Sequence, residues 1–337
     1  MRIKRSSIPT LKLRSGPRCL LRLAHNRTYG GGEAHSFGIL KILGRFLKNL
    51  EVEVGPGGVA LSEVFGMKGL SYRPKRGGQY DLFINISHFT LPEPVARKNV
   101  AVIFYPQYDW SEGIKKYDKV VANSGFTAEQ IELKWGVRAD VIEPSMEIDQ
   151  IIEAAKCYEK KNQILSIGRF FWIEDGNNKN QEILAQAFRK MPEGWKLVFV
   201  GTVQQKDYFQ RVKRVAEGQA IEFKHNISYD ELLKLYGESK ILWHGAGYGA
   251  RYPSNYEHFG MIAVEALAAN CRALVYDGGG IARIEGVETW NTTDELIAKT
   301  LEDKPVDLSK FALPYGPDKI AEKWKDLILA LGASVSL

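Results

Sequence analysis

The stretch from Ser254 to Asp277 limits the possible folds of this chain more than any other part of the sequence. Glu257 and Glu265 stand eight positions apart, separated by Phe-Gly and an apolar run with helical spacing. The short β-prone segment 272–276 follows, and it leads into Asp277 and three glycines. This order predicts a loop, a helix, a strand and a Gly-rich turn, which are the building elements of an α/β protein.

The two glutamates are predicted to share one side of that helix, since eight residues make a little over two turns and leave them within about 80° of each other. At the helix start, the amides of Phe259, Gly260 and Met261 can donate to phosphate or sugar oxygens. A carboxylate can accept hydrogen bonds from two hydroxyls. The stretch therefore predicts a site for an anionic ligand that carries a sugar. The plainer alternative makes Glu257 a helix-start carboxylate and Glu265 an exposed charge.

The length and composition of the chain favour a globular protein with two domains. It has 337 residues, of which 45% are hydrophobic and 26% are charged. The three cysteines are far apart and odd in number, so we expect neither a disulfide framework nor a zinc site. No run approaches the ~18 apolar residues of a membrane span. These features predict a cytoplasmic protein.

The net charge of +6 is unevenly distributed along the chain. Residues 1–145 hold 22 Lys and Arg against 13 Asp and Glu, a net +9, which leaves −3 for residues 146–337. Such a basic region is attracted to anionic membranes and to nucleic acid, or it is simply solvated. No nucleic-acid-binding motif accompanies it, so we expect no nucleic acid partner. Peripheral contact with an anionic membrane, at its inner face, is kept as a hypothesis.

The N-terminal part alternates predicted strands with turns and helices. Residues 18–25 predict a strand, and Gly31 and Gly32 then precede a helix-periodic segment. Two later strands end directly before His88 and Tyr105. Because ligands of open α/β sheets bind at the carboxyl ends of the strands, these residues are candidates for a site. A glycine triplet by itself is weak evidence, since it could equally be only a turn.

The C-terminal part places two cations near the ends of predicted elements. A strand from Gln163 ends at Gly168 and Arg169, and Lys179 precedes a helix predicted at 182–190. If the intervening loop folds back, the two cations meet and can offset the charge of a departing diphosphate. An isolated surface cation is more often only solvated. We expect a diphosphate clamp, and the sequence predicts no role for the loop 170–178.

Four motifs together resemble the retaining GT-B glycosyltransferases of family four. The resemblance covers nearly the whole chain from about Ala24 and is strongest from 118 to 285. The motifs are Gly-Gly-x-Glu33, Asn123-Ser-x-Phe-Thr127 with Val141-Ile-x-Pro144, Gly168-Arg169 with Lys179-Asn180, and Glu257-x-Phe-Gly with Glu265.

The resemblance implies a GT-B fold, in which two Rossmann-like doubly wound domains face a central cleft. It implies an N-terminal acceptor-side domain at 1–145, with a basic tail at 1–17, and a nucleotide-sugar-binding domain at 146–312. Residues 313–337 are implied to form a helix that returns to the N-terminal domain. Pro144 is a reasonable hinge, since proline ends a strand where the chain crosses over.

The activity implied is transfer of a hexose from a GDP- or UDP-sugar to a glycan or lipid-linked acceptor, with retention at the anomeric carbon. No metal or other cofactor is implied, and no Asp-x-Asp pair is present where a metal-dependent transferase would need one. The implied catalytic residues are Arg169, Lys179 and Glu257.

The same resemblance implies several substrate contacts. We assign the nucleotide ribose to Glu265 and the transferred sugar to Glu257. The base is implied to lie against backbone near Ile227, and Gly31 and Gly32 are implied to face the donor phosphates and the acceptor.

One segment departs from the family pattern. Family members commonly place a histidine directly after the strand that matches 100–104, where this chain has Tyr105. His88 and Tyr105 are two unranked candidates for its role. Two other functions are therefore kept: an inactive GT-B scaffold that binds a nucleotide sugar or a partner, and a nucleotide-sugar epimerase, which the Glu257–Glu265 element fits less well.

Overall fold

A computed structural model describes residues 18–23, 30–47, 49–54, 80–86, 90–174, 178–304 and 307–332. Within these residues, twelve strands form two six-stranded sheets, and helices alternate with most of the strands. All neighbouring strands run parallel. Parallel neighbours require a crossover connection, which is usually a helix, so the alternation read from the sequence follows directly. The predicted α/β class is confirmed.

The first sheet has the strand order β2-β1-β3-β4-β5-β6. Its strands are β1 Cys19–Leu23, β2 Leu50–Val54, β3 Tyr80–Ile86, β4 Ala96–Ile103, β5 Lys119–Ala122 and β6 Asp140–Val141. The helices α1 Gly31–Gly44 and α2 Gly125–Trp135 belong to this domain, with a 3₁₀ turn at Ile114–Lys116.

The second sheet has the strand order β12-β11-β10-β7-β8-β9. Its strands are β7 Lys161–Ile167, β8 Lys196–Val200, β9 Ile221–Lys224, β10 Ser239–His244, β11 Arg272–Tyr276 and β12 Glu288–Trp290. Its helices are α3 Ile148–Ala155, α4 Gln181–Phe188, α5 Lys206–Ala216, α6 Tyr229–Glu238, α7 Met261–Ala268, α8 Thr293–Leu301 and α9 Ser309–Ala312. Helix α10, Pro317–Ala330, follows.

Each sheet has one point where the order of strands reverses. In the first sheet β1 lies between β2 and β3, and in the second sheet β7 lies between β10 and β8. Connections on the two sides of such a point run to opposite faces of the sheet, which opens a crevice at the carboxyl ends of the two strands. The ends of β7 and β10 are therefore where a ligand site is expected in the second domain.

Helix α10 packs against the first domain although it comes last in the sequence. Its Trp324 and Ile328 are fully buried in one apolar cluster with Phe37 and Leu43 of α1. The spacing of these apolar positions is helical, so one face of α10 is apolar and buries against α1. The chain thereby links the two domains twice, once before α3 and once after α9.

Several predicted boundaries shift by a few residues, because propensity marks the interior of an element better than its ends. Helix α1 begins at Gly31, well before the predicted periodic segment, and α2 begins at Gly125, directly after the capping Ser124. Helices α3 and α9 have no counterpart in the sequence prediction. The basic segment 1–17 and residues 55–79 lie outside the described residues.

Within the described part of the chain, no helix combines the length and apolar character needed to cross a membrane.

Candidate functional site

The central group of the candidate site is a carboxylate that contacts two nitrogens. Lys179 Nζ donates to Glu257 Oε2 at 2.5 Å, and His244 Nε2 lies 3.2 Å from the same oxygen. His244 ends β10, Lys179 precedes α4, and Glu257 lies in the loop before α7. These elements meet at the crevice predicted by the strand order, so a contact across 78 residues of sequence arises from the sheet topology.

The electrostatics of this cluster favour an anionic Glu257. Burial raises the pKa of the Glu257 carboxyl, but the Lys179 ammonium and the His244 hydrogen bond outweigh burial and hold the pKa well below its usual range. Burial also lowers the pKa of His244, which is 1% exposed. A neutral His244 whose Nε2 carries the proton then donates to the carboxylate, and that tautomer is inferred from the contact.

The side chain of Lys179 lies against the end of β7. A Cβ placed on Gly168 would lie 2.8 Å from Lys179 Cγ, so a glycine is needed at this position for the lysine stem to pass. Arg169 follows Gly168 and extends towards the first domain, since a Cβ placed on Gly30 would lie 3.8 Å from its guanidinium carbon. Arg169 and Lys179 therefore both lie at the end of β7, and their role as a diphosphate clamp stays a prediction.

A buried glutamine that the sequence analysis missed holds this strand end in place. Gln181 is 1% exposed, and its Nε2 donates to the backbone carbonyls of Gly168 at 3.2 Å and Arg169 at 3.1 Å. Tyr208 donates its hydroxyl to the Gln181 Oε1 at 3.1 Å. The neighbouring Asn180 Nδ2 donates to the carbonyls of Gly245 and Tyr248. These bonds tie α4 to the ends of β7 and β10, and only the fold reveals them.

The second glutamate lies in α7 and has a buried partner of its own. Tyr236 in α6 donates its hydroxyl to Glu265 Oε2 at 2.7 Å. Burial raises the pKa of Glu265, and the Tyr236 hydrogen bond partly offsets that effect. Glu265 as a whole residue is only partly buried. The sequence carried no signal for Tyr236, which is 29 positions earlier.

The start of α7 presents backbone amides to the same region. Gly260 has φ +92°, and a Cβ there would lie 2.4 Å from Ile281 Cγ1, so no other residue fits without a shift. Within the described residues, no hydrogen bond donated by the amides of Phe259, Gly260 and Met261 is seen. The side chain of Phe259 is buried against Tyr315, so Phe259 can contribute to a site only through its backbone.

The opposite wall of the crevice is formed by the first domain. Tyr105 stacks on His258 with ring centroids 4.1 Å apart, and Ser124 Oγ donates to the His258 carbonyl at 2.6 Å. Burial lowers the pKa of His258 to about 4. Tyr105 thus lies in the wall formed by the first domain and contacts His258, the residue that follows Glu257. His88, the other candidate for the histidine role, lies outside the described residues.

The remaining predicted residues lie at the start of α1 and after β9. Gly31 is exposed and Gly32 is partly buried at the start of α1, on the side that Arg169 faces. Ile227 is partly buried in the turn after β9. In that turn, His225 Nδ1 lies 2.8 Å from the Gly201 carbonyl, which joins the turn to the end of β8.

A second cavity opens beside the cluster. It has a volume of about 200 Å³ and is lined by Trp172, Asn178, Asn180 and residues 247–250. Trp172 belongs to the loop 170–178, for which the sequence predicts no role, and residues 247–250 belong to the loop after β10. Asn178 uses both ends of its amide on the backbone of Ile173, so it shapes the loop.

Two parallel sheets with reversed strand order, facing each other across a crevice, define a GT-B protein. The fold agrees with Anabaena HepE in complex with UDP and glucose, with a TM-score of 0.66 and 14% identity over 93% of this chain and 99% of that one. It agrees also with the lipopolysaccharide outer core galactosyltransferase WaaB, with a TM-score of 0.65 and 14% identity over 93% and 99%. At such identities the likeness is one of fold, and the predicted GT-B fold is confirmed.

Residues 147–299, which include most of the second domain, match the family model described as glycosyl transferases group 1. This agrees with the resemblance found in the sequence, apart from the retaining mechanism, which stays a prediction.

The chain is also similar to curated relatives that share a single description, GDP-Man:Man(3)GlcNAc(2)-PP-Dol alpha-1,2-mannosyltransferase. The Homo sapiens protein is 28% identical over 58% of this chain and 42% of its own length. The Candida glabrata protein is 24% identical over 56% of this chain and 39% of its own length. The chain thus spans less than half the length of these relatives.

Proposed function

We propose that this protein is a glycosyltransferase that moves a hexose from a nucleotide diphosphate sugar to a glycan or lipid-linked acceptor. The observation that carries the proposal is the meeting of Lys179, Glu257 and His244 at the strand-order reversal, with Arg169 on the same crevice. Binding of a sugar diphosphate requires cations, an ionised carboxylate and backbone amides that have no other acceptor. GDP-mannose is the first donor to test, because the curated relatives are described as GDP-Man-dependent.

In this proposal Arg169 and Lys179 hold the donor diphosphate together with the amides that start α7. Negative charge grows on the diphosphate as the bond to the sugar breaks, and fixed cations stabilise that charge most when it is largest. The two cations would supply the stabilisation that a metal ion provides in other transferases. Metal independence and retention at the anomeric carbon are parts of the proposal.

Glu257 is proposed to accept hydrogen bonds from hydroxyls of the transferred sugar, and Glu265 from the ribose. The low pKa of Glu257 suits this role, because an ionised carboxylate accepts from two hydroxyls at once. Lys179 would then be shared between the diphosphate and Glu257, which couples the position of the leaving group to that of the sugar. The base is proposed to lie near Ile227, and the acceptor near Gly31, Gly32 and Tyr105.

The test is a transfer assay with a panel of donors. The purified protein is incubated with GDP-mannose, UDP-glucose or UDP-N-acetylglucosamine and a mannose-terminated lipid-linked oligosaccharide, with and without a metal chelator. Acceptor-dependent release of one nucleoside diphosphate, together with a lengthened glycan, is expected. The configuration of the new bond, read by NMR, tests retention, and loss of activity with the chelator contradicts metal independence.

The same assay separates the two other functions. An inactive scaffold would bind a nucleotide sugar without releasing the diphosphate, and an epimerase would change the sugar without an acceptor. The presence of Arg169, Lys179, Glu257 and Glu265 at one crevice favours transfer over both.

A further inference from the structure

We propose that Tyr236 is a positioning residue that orients the Glu265 carboxylate towards the ribose of the donor, so that discrimination between ribo- and deoxyribonucleotides depends on its hydroxyl. The inference rests on the proposed function and extends it to a residue that the sequence motifs do not contain. It starts from the 2.7 Å hydrogen bond between Tyr236 and Glu265 Oε2.

Tyr236 is held rigidly enough to act in this way. It is 1% exposed and belongs to the core cluster that also contains Ala266 and Leu267 of α7. Lys160 Nζ donates to the carbonyls of Tyr236 at 2.9 Å and of Ser239 at 2.8 Å, which fixes the end of α6. With backbone and ring both constrained, the hydroxyl has a fixed position from which it holds one carboxylate oxygen.

Holding Oε2 determines where the other lone pairs of Glu265 point. In the described part of the chain, the Tyr236 hydroxyl is the partner seen for this carboxylate, so Oε1 is available to a ligand. An ionised carboxylate only accepts hydrogen bonds, and a vicinal diol offers two donors at a spacing that its two oxygens can meet. A carboxylate free to rotate would lose part of that match, because each orientation is populated only for a fraction of the time.

A purely structural role is the competing explanation for Tyr236. A buried tyrosine generally needs a partner for its hydroxyl, whatever the function of that partner. That explanation predicts a loss of stability on removing the hydroxyl, and no effect that depends on the hydroxyls of the ligand. The two explanations therefore differ in a measurable way.

Tyr80 in β3 supplies a matched control. It is 7% exposed, and its hydroxyl donates to Glu51 Oε2 at 2.8 Å, so it reproduces the same pair of groups in the first domain. Tyr80 lies at the start of its strand, whereas the crevice lies at the carboxyl ends. Tyr80→Phe is expected to lower the melting temperature without changing nucleotide binding.

The experiment measures binding of GDP, 2′-deoxy-GDP and 3′-deoxy-GDP by calorimetry, with the UDP series in parallel. The proteins are the wild type, Tyr236→Phe, Glu265→Gln, the double variant and Tyr80→Phe. In Tyr236→Phe, affinity for the ribonucleotide is expected to fall about tenfold, the range of a hydrogen bond to a charged group. Affinity for at least one deoxynucleotide should change by less than about twofold, because that ligand lacks a hydroxyl that the carboxylate reads.

The double variant tests whether the two residues act as a unit. If Tyr236 acts through Glu265, the double variant should bind GDP no more weakly than Glu265→Gln alone. Melting temperatures, recorded for every variant with and without nucleotide, separate a general loss of stability from a loss of binding.

The outcomes distinguish this inference from the proposed function. If Glu265→Gln loses the discrimination between ribo- and deoxyribonucleotides while Tyr236→Phe keeps it, the role of Tyr236 is wrong and the ribose contact of Glu265 stands. The same conclusion follows if Tyr236→Phe lowers the affinity for all nucleotides equally. If Glu265→Gln binds every nucleotide as the wild type does, the ribose contact itself fails, and the inference about Tyr236 fails with it.

Discussion

At the scale of single residues, the site is defined by two side chains that contact the same carboxylate oxygen. Glu257 Oε2 contacts both Lys179 and His244, so the charge and the direction of this carboxylate are set by two neighbours from different elements. Lys179 and Glu257 are partly buried, with side chains 18% and 21% exposed. At that burial, removing one partner leaves the other charge poorly solvated, so substitutions here should affect function more than those of surface pairs.

The clamp hypothesis predicts a large loss of rate when its cations are removed. Arg169→Ala and Lys179→Ala should each lower the rate of transfer on the order of 10²-fold, because a fixed charge on the departing diphosphate is lost. Lys190→Ala is the matched control. Lys190 follows α4, the helix that Lys179 precedes, and pairs with Asp294 at the surface. Near wild-type turnover of the Arg169→Ala, Lys179→Ala double variant rules out the clamp.

His244 should act on the reaction through Glu257. His244→Leu removes the donor to Oε2 and is expected to lower kcat roughly tenfold, the value of one hydrogen bond to a charged group. His244→Gln keeps an N–H donor at a similar distance and should recover most of the activity. Steady-state kinetics of both variants with the preferred donor checks this, and equal losses in Leu and Gln variants contradict the positioning role.

His258 should make the protein less stable in mild acid. Burial lowers its pKa from 6.5 to about 4, so the unfolded chain takes up a proton more readily than the folded one. Stability is therefore lost as the pH falls below about 6.5, by about 1–2 kcal/mol at pH 5. His258→Phe keeps the ring stack on Tyr105 and should lose less stability between pH 7 and pH 5. Denaturant unfolding at both pH values measures this, and an unchanged pH dependence in the variant argues against it.

At the scale of elements, the glycine turn after β11 holds the loop that carries Glu257. The amide of Gly280 donates to the Glu257 carbonyl at 2.8 Å, and a Cβ placed on Gly280 would lie 1.8 Å from the His258 carbonyl oxygen. Gly279 has φ +78°, and a Cβ there would lie 2.3 Å from the Glu257 carbonyl oxygen. The turn and the loop therefore form one packed unit, and Gly279 and Gly280 leave no room for a side chain.

Gly280→Ala is expected to destabilise the protein and to displace Glu257. The added methyl meets backbone, which cannot move aside cheaply, so we expect a loss of about 1–3 kcal/mol together with reduced transfer. Gly44→Ala in α1 is the control, because a Cβ there meets nothing within 4 Å. That change should be neutral or slightly stabilising. Thermal unfolding of both variants checks the difference, and equal stability of the two would contradict the close contact.

At the scale of the whole molecule, contacts across the crevice join the domains on the site side. Arg283 forms a two-pronged ion pair with Glu129 at 2.5 and 2.8 Å, close to the contact of Ser124 with the His258 carbonyl. The domains also differ in charge, with +9 on residues 1–145 and −3 on the rest. We propose that the basic half faces an anionic membrane where a lipid-linked acceptor is found.

Membrane association is expected to depend on salt and on the basic segment. Basic residues each contribute about 1 kcal/mol near an anionic surface, and the Debye length shrinks from ~10 Å at 0.1 M to ~3 Å at 1 M salt. Sedimentation with phosphatidylserine vesicles should therefore retain the full chain at low salt and release it at high salt. Deletion of residues 1–17 should weaken retention, and vesicles of neutral lipid are the control. If the full chain and the protein without residues 1–17 are recovered equally in the supernatant at low salt, the membrane hypothesis is wrong.

The sequence by itself determined most of the helices and strands, and the element to which several of the predicted residues belong. Helical spacing from Met261 onward placed Glu265 on α7, and the β-prone segment and glycines after it gave β11 and its turn. The predicted strand that begins at Gln163 located Arg169 at the end of β7. These features depend on neighbours a few positions apart, which propensity and periodicity describe well.

Only the tertiary structure decided which residues from distant parts of the sequence contact the predicted site residues. Tyr236 meets Glu265, His244 meets Glu257, and Gln181 holds the carbonyl of Arg169. Such contacts depend on the order of parallel strands and on the packing of helices against them, which a single sequence does not encode as a local pattern. The contact of Tyr105 likewise appears only in the tertiary structure, where its ring stacks on His258 from the other domain.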